Sequence, residues 1–396
     1  MIAPPTHTHT NYRSEAGSAW QLFNFAEQEA TRRGRRLLRV NLDETAVCLH
    51  PGRGKGNIFV TKSQARAGVR QRVPKWKRRC YMTHIGIICD DPSLQAVLPQ
   101  FIVANERTFQ ARRLPTLARA SPRNVTLIRQ KSAWSNAALM RRVVRELAVV
   151  IARQGGWVAL AQVALIFDAA TIHIHDSVLR ACKAVGFWVV IVPPKTTSVL
   201  QPLDVDAFAM YKAVLVALYH EARTRCGSPH GDLDIAEFLP CVYGAIRQVL
   251  QGRRWAAAFD RAGFGAHQTA LATTLKQRLQ ITAAAGAPLA RPSDDQLRLL
   301  FPRRWAVPTA LFWSFFDEPT VRVPAALPAR APRDPGAPAE THAAPGPRTR
   351  ADYRRAAAEV ARASGLASEA GVEPAPAAWS ERSSRPRRLV DIPALD

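Results

Sequence analysis

The stretch LIFDAATIHIHDSVLRACKAVGFWVVIVPPKTTSVLQPLDVDAF, Leu165 to Phe208, decides the fold. ALIFD (164–168) is a short, continuously apolar run that stops at Asp168, and FWVVIV (187–192) is a second. Between them HDSVLRACKAVG (175–186) has helical composition and a terminating glycine, Gly186. Two continuously apolar strands around one helix read as a βαβ unit, a parallel pair covered on both faces. Beyond it, a loop stiffened by Pro193, Pro194 and Pro202 delivers a second carboxylate, Asp204. Phe208, Tyr211, Leu215 and Leu218 then recur at helical spacing, so Asp204 stands at a helix start.

Working outward, LLRVNLDE (37–44) alternates apolar residues at Leu38, Val40 and Leu42, which is strand periodicity, and the strand is expected to end in Asp43 and Glu44. CYMTHIGIICDD (80–91) and AVLPQFIVAN (96–105) are two further β-rich runs around an Asp-Asp-Pro turn, and three strands in succession predict an antiparallel meander. SNAALMRRVVRELAVVIARQGG (135–156) carries Leu139, Val143, Leu147 and Ile151 on one helical face, with Gly155 expected to close it. Upstream, AWQLFNFAEQEATRRG (19–34) predicts a short helix ending at Gly34 behind a polar, frayed leader of about 18 residues. Downstream, IAEFLPCVYGAIRQVL (235–250) and RRWAAAFDRAGFG (253–265) continue as helices, with Trp255 and Phe259 as neighbours on one face. The expected class is α/β: a mixed sheet of a three-strand meander plus parallel strands, flanked by helices.

With 55 Lys+Arg against 31 Asp+Glu, the chain carries a formal charge of +24, which points to polyanionic partners. For the tail alone, coding bias toward Arg, Ala and Pro is the competing explanation. Six cysteines form no C-x-x-C pair and read as buried thiols of a reducing compartment. No secretory leader or bilayer-spanning run is present in the sequence, so an intracellular protein with no membrane partner is expected. The Gly/Lys-rich segment PGRGKGNIFVTKSQARAG (51–68) lacks phosphate-loop spacing and reads as a solvated basic loop. From 321 onward Pro, Ala and Arg dominate, and disorder is expected.

In so acid-poor a chain, three aspartates at element ends stand out. The strand order can bring Asp43, Asp168 and Asp204 to one end of the sheet, where they repel one another unless cations intervene. All-oxygen ligands select hard ions such as Mg²⁺ or Mn²⁺, and two such ions can promote phosphodiester cleavage. His173 and His175 look like a metal pair, but residues two apart do not face each other on a helix; a capping or supporting role is expected for His173. Alternation turns Glu44 away from the Asp43 face, and Asp206 reads as an acid favoured near a helix start. Gln201 is a candidate hydrogen-bonding residue near Asp204, while Thr196, Thr197 and Ser198 are expected to satisfy backbone groups.

The segments NLDET, LIFDAATIH, VVIVPPKTTSVLQPLDVDAF and RRWAAAFDRAGF together resemble the DDE superfamily of endonucleases and transposases. The resemblance is to the pogo, tigger and jerky group of mariner-like transposases, and PPKTTSVLQPLD is its most specific part. It covers roughly 37 to 265, and the Asp168 to Asp204 spacer, in the mid-thirties, suits the Asp-Asp-Asp variant of the triad. It implies an RNase H-like catalytic domain at 37–265, preceded by a leader and short helix (1–36) and followed by a helical appendage (266–320) and a tail (321–396). It further implies metal ligation by Asp43, Asp168 and Asp204, DNA ends and target DNA as partners, assembly as a homodimer and a nuclear location. The family's DNAPSH-like segment is DAATIH here: Ala169 replaces its Asn while His173 stays in place. The family's N-terminal helix-turn-helix is not recognisable ahead of the core, so a domesticated, non-cutting nucleic-acid-binding protein is the alternative.

Overall fold

The axis of the sheet is β1 (Leu37–Cys48), which is buried on both faces for most of its length. Leu38, Val40 and Leu42 fill one face, while Arg39, Asn41 and Asp43 are buried on the other. The computed structural model describes residues 7–48, 81–225, 233–265 and 290–317, with side chains from residue 14 onward. All fall within one compact unit, Met1–Ala343; the second unit, Ala344–Asp396, lies outside the described residues. So do the basic loop at 51–68, the KWKRR cluster (75–79) and the Pro/Ala/Arg-rich tail.

In chain order the described elements begin with α1 (His7–Arg32), β1, β2 (Tyr81–Cys89), α2 (Pro92–Gln95) and β3 (Gln100–Asn105). They continue with α3 (Leu114–Ala120), β4 (Val125–Gln130), α4 (Ala137–Ala152), α5 (Gly156–Leu160), β5 (Gln162–Asp168), α6 (Asp176–Ala184) and β6 (Trp188–Val192). Then come α7 (Thr197–Leu200), a π-helical turn at Leu203–Ala207, α8 (Phe208–Arg225), α9 (Ile235–Ala245), a second π-helical turn at Ile246–Gln251 and α10 (Ala256–Arg261). The last two are α11 (Asp294–Arg298) and α12 (Thr309–Trp313).

The sheet runs β4-β3-β2-β1-β5-β6. β2 is antiparallel to both β1 and β3, and the pairs β1–β5, β5–β6 and β3–β4 are parallel. The meander and the βαβ unit are therefore present, and β1, flanked by β2 and β5, joins them into the mixed RNase H-like sheet. Every residue of β6 is buried, as continuous apolarity requires of a strand covered on both faces.

Three local readings differ. β4 is an additional strand on the outer side of β3, held parallel to it from Gln100↔Val125 to Asn105↔Gln130. The helix α1 begins at His7 rather than after residue 18, and within it Ala16 and Ala19 are fully buried, small residues that let this part of the helix pack closely. α4 ends at Ala152 with Arg153 as its C-cap, and the glycine with left-handed geometry is Gly156 (φ 62°), not Gly155. The helix read from Phe208, Tyr211, Leu215 and Leu218 is present as α8; its buried face is Phe208, Tyr211 and Leu215 with Val214 and Tyr219, and Leu218 is half-buried.

Segment 290–317 packs on α1 and β6 through Phe25–Trp313, Phe25–Phe316 and Trp188–Phe316 ring contacts. Arg33, just after α1, closes this corner, donating to the Phe316 carbonyl and stacking over Trp188. Among the described cysteines Cys48, Cys89, Cys182 and Cys241 are free thiols, all but Cys48 buried. No helix among the described residues is long and apolar enough to cross a membrane.

Candidate active site

Asp43 and Asp168 lie on neighbouring parallel strands. Asn41 pairs with Ile166 where β1 and β5 part, so two residues further along each strand the period of two puts Asp43 and Asp168 on the same face. Asp204 comes to that region on the π-helical turn between α7 and α8. The turn and α8 are pressed onto this face beside Asp43: Gly86, which pairs with Asp43 across β1–β2, has Phe208 so close that a Cβ would sit 2.9 Å from its ring.

The electrostatics record the crowding. Burial, then the charges of Asp204, Asp168 and Glu44, push the Asp43 carboxyl up to about 8. Asp204 is open to solvent as a residue, yet protein atoms around its carboxyl and the Asp168 charge still raise it, against Lys212 and a Thr197 hydrogen bond. For Asp168, burial works upward, but the His173 hydrogen bond and charge and the Ala170 N–H outweigh it, and its pKa is lowered.

His173 is wholly buried between two carboxylates. Its Nδ1 stands 2.6 Å from Asp168 Oδ1, and its Nε2 makes an ion-pair contact at 3.0 Å with Glu44 Oε2, off the line of a straight hydrogen bond. Burial opposes its charge, but Glu44 and Asp168 prevail and hold its pKa near about 10. The neighbouring His175 is the capping residue, its Nδ1 accepting from the Ser177 N–H at the start of α6. The two histidines thus serve separate structures, and His173 is the one that orients a site aspartate.

On Asp43, Oδ1 accepts from the Glu44 N–H; on Asp168, Oδ1 accepts from the Ala170 N–H and His173. In both, these hydrogen bonds fall on Oδ1 and none on Oδ2. Asp206 is committed elsewhere, with Arg261 of α10 in contact through Nε and Nη2, each at 3.0 Å. Thr196 satisfies the Pro193 carbonyl as expected, whereas the Thr197 hydroxyl serves Asp204. Gln201 is wholly buried, and neither polar atom of its amide meets a hydrogen-bond partner. Ala169 is buried too and offers no polar side-chain atom.

Asn41 is the site residue that sequence reasoning passed over. Fully buried, its Nδ2 donates to the Ile166 carbonyl (2.9 Å) and its Oδ1 accepts from the Leu203 N–H (2.8 Å). The available signal was the polar set Arg39, Asn41 and Asp43 on one face of a strand whose other face is apolar.

Comparison with known proteins adds little. Two solved structures match loosely. They are the "Mos1 transposase paired-end complex with left transposon end" (13% identity, TM-score 0.33) and the "Mos1 mariner paired end complex with Mn" (14% identity, TM-score 0.32). The matches cover 67% and 66% of this chain, and this chain spans 66% and 65% of theirs, a little under two thirds. No family model and no curated protein matches.

The three aspartates suit a divalent cation by donor chemistry: all oxygen, hard and like-charged, with burial first and then the charges of Asp204 and Asp168 raising Asp43 to about 8. Among the described residues, no three His, Cys, Asp or Glu side chains are already grouped as a ligand shell around one point.

Proposed function

We propose that this chain is the core of a DDE-type transposase-like protein that cleaves and rejoins DNA phosphodiesters, with Asp43, Asp168 and Asp204 as its acidic triad. The observation that supports this reading is the placement of Asp43 and Asp168 on one face of neighbouring parallel strands, where burial first and then the charges of Asp204 and Asp168 raise Asp43 to about 8. On this reading the three carboxylates, from distant segments, share one electrostatic neighbourhood, and their mutual repulsion adds to the cost of burial. Mg²⁺ or Mn²⁺ held there would supply charge neutralisation and an acidified water for in-line attack on phosphorus. The chain's own residues do the holding: His173 fixes one oxygen of Asp168, Thr197 binds Asp204, and Lys212 lies close enough to temper its charge.

The same reading makes DNA the substrate, through the resemblance and the +24 charge, and implies a nuclear location and a homodimer that brings two DNA ends together. The test is nicking of supercoiled DNA with Mg²⁺ or Mn²⁺ beside Asp168→Asn. Nicking by the wild-type chain above that background supports the enzyme; equal background removes it. A second reading, a nucleic-acid-binding relative that no longer cuts, is favoured by Ala169 in place of the family's Asn and by the open spacing of the carboxylates.

A further inference from the structure

Asn41 touches all three chain segments that carry the triad. It lies two residues before Asp43 on β1, its amide nitrogen binds the carbonyl two residues before Asp168, and its amide oxygen binds the N–H one residue before Asp204. The orientation of the amide is fixed by its partners, since a carbonyl requires the N–H side and a backbone N–H requires the oxygen.

Leu203 begins a π-helical turn, and the first N–H groups of a helical segment have no partner within it. Pro202, at the N-cap position, has no side chain able to fill that role. The oxygen of Asn41, arriving from 162 residues away in sequence, caps the turn in its place. A buried amide left without partners is costly, so both bonds are held. The turn is therefore tied to β1 and β5 at the point from which Asp204 projects.

The geometry points to Asn41 as a positioning residue that sets where Asp204 stands relative to Asp43 and Asp168, and thereby the affinity of the triad for divalent cations. This rests on the reading of the triad as a cation-holding site. Asn41 has both described bonds directed at protein backbone and acts through the aspartates, not on substrate.

The experiment compares the full-length chain with Asn41→Leu, close in volume but without polar atoms, and with Gln100→Leu. Gln100 is an equally buried amide that bonds Ile87 through both its atoms, between β2 and β3, so its loss controls for general destabilisation. Mn²⁺ binding is followed by calorimetry and by the electron paramagnetic resonance of the free ion, and exchange of the Leu203 amide by NMR. Asn41→Leu should weaken Mn²⁺ binding by about ten-fold or more, the range for residues that orient ligands, and expose the Leu203 amide to exchange. Gln100→Leu should do neither. If Asn41→Leu fails to fold, Asn41→Ser, smaller and still polar, is measured in the same way with the same expectation.

A wild-type chain that binds Mn²⁺ and an Asn41 variant that binds it equally well, with the Leu203 amide exposed, overturn the inference alone. A wild-type chain that takes up no Mn²⁺ overturns the reading of the triad, and the positioning of cation ligands falls with it. Equal weakening by Gln100→Leu also overturns the inference, because the effect would then be one of stability.

Discussion

Asp168 Oδ1 and His173 Nδ1 are 2.6 Å apart, and the ring that makes this contact has no exposure to solvent. Its far side faces Glu44, so a single imidazolium balances two carboxylates inside the protein. A buried ion of this kind adds little over an apolar replacement of the whole group, but removing one member strands the charges that remain.

Replacing His173 by Leu should therefore destabilise the fold by about 3–5 kcal/mol, the usual cost of breaking a buried ion pair. Urea unfolding monitored by tryptophan fluorescence measures it. A loss below about 1 kcal/mol, typical of exposed pairs, would show that Glu44 and Asp168 find other partners.

Acid sensitivity should come from His84. This fully buried ring lies beside Gln100 Oε1 at 3.1 Å; that oxygen already accepts from the Ile87 N–H, so Nε2 is the donor and the ring is neutral. Burial lowers its pKa to about 4, only partly opposed by the Gln100 hydrogen bond. The unfolded chain, with an ordinary histidine, binds more protons between the two values, so stability is present above about 6.5 and is lost as pH falls toward about 4. The loss is of order 3 kcal/mol by linkage. His84→Phe should flatten this part of a stability-versus-pH curve, and an unchanged slope would remove His84 as its source.

Gly86→Ala should displace α8. The new methyl group would meet the Phe208 ring at 2.9 Å, on the face that also carries Asp43, and overpacking of this kind costs about 1–3 kcal/mol. Phe208→Leu, added to Gly86→Ala, should recover part of the loss. A double variant no more stable than the single one would mean that the strain lies elsewhere, and denaturant titration of the three chains decides it.

The parts legible in the sequence were those where one periodicity had a single meaning. β5 and β6 are continuously apolar and bounded by turns, and α4 repeats every four residues, so both readings follow from burial alone. β4 (VTLIRQ) was not legible because six residues with three polar positions, set between Asn124 and a serine-rich loop, resemble a connection; its pairing to β3 is a tertiary fact. The first half of α1 was hidden for a related reason, since polar and small residues such as Ser18 and Ala16 become buried only when a neighbouring surface accepts them. Within the site, Asp168 ends β5 and Asp204 stands on the turn before α8, and both were visible as charges at element ends; Asp43 was visible as a charge too, but it lies inside β1, which runs on to Cys48 instead of ending at Asp43 and Glu44. Asn41 and His173 differ: their roles depend on which backbone or side-chain atoms fold against them, and spacing along the chain does not encode that.

The last prediction separates Asp204 from Asp206, two acids on the same π-helical turn. Asp206 is paired with Arg261, with both side chains partly exposed, so Asp206→Asn should cost at most about 1 kcal/mol and leave nicking intact. Asp204 instead shares the field of Asp168, is hydrogen-bonded by Thr197 and faces no arginine fork. Asp204→Asn keeps its size while removing one negative charge from the set that would neutralise divalent cations, so nicking should vanish while DNA is bound as well or better. The measurement is nicking of supercoiled DNA with Mn²⁺, alongside a binding isotherm at fixed salt, for both variants. Loss of nicking in Asp206→Asn with retention in Asp204→Asn would exchange the two assignments, because only the carboxylate that holds the cation is needed in its charged form.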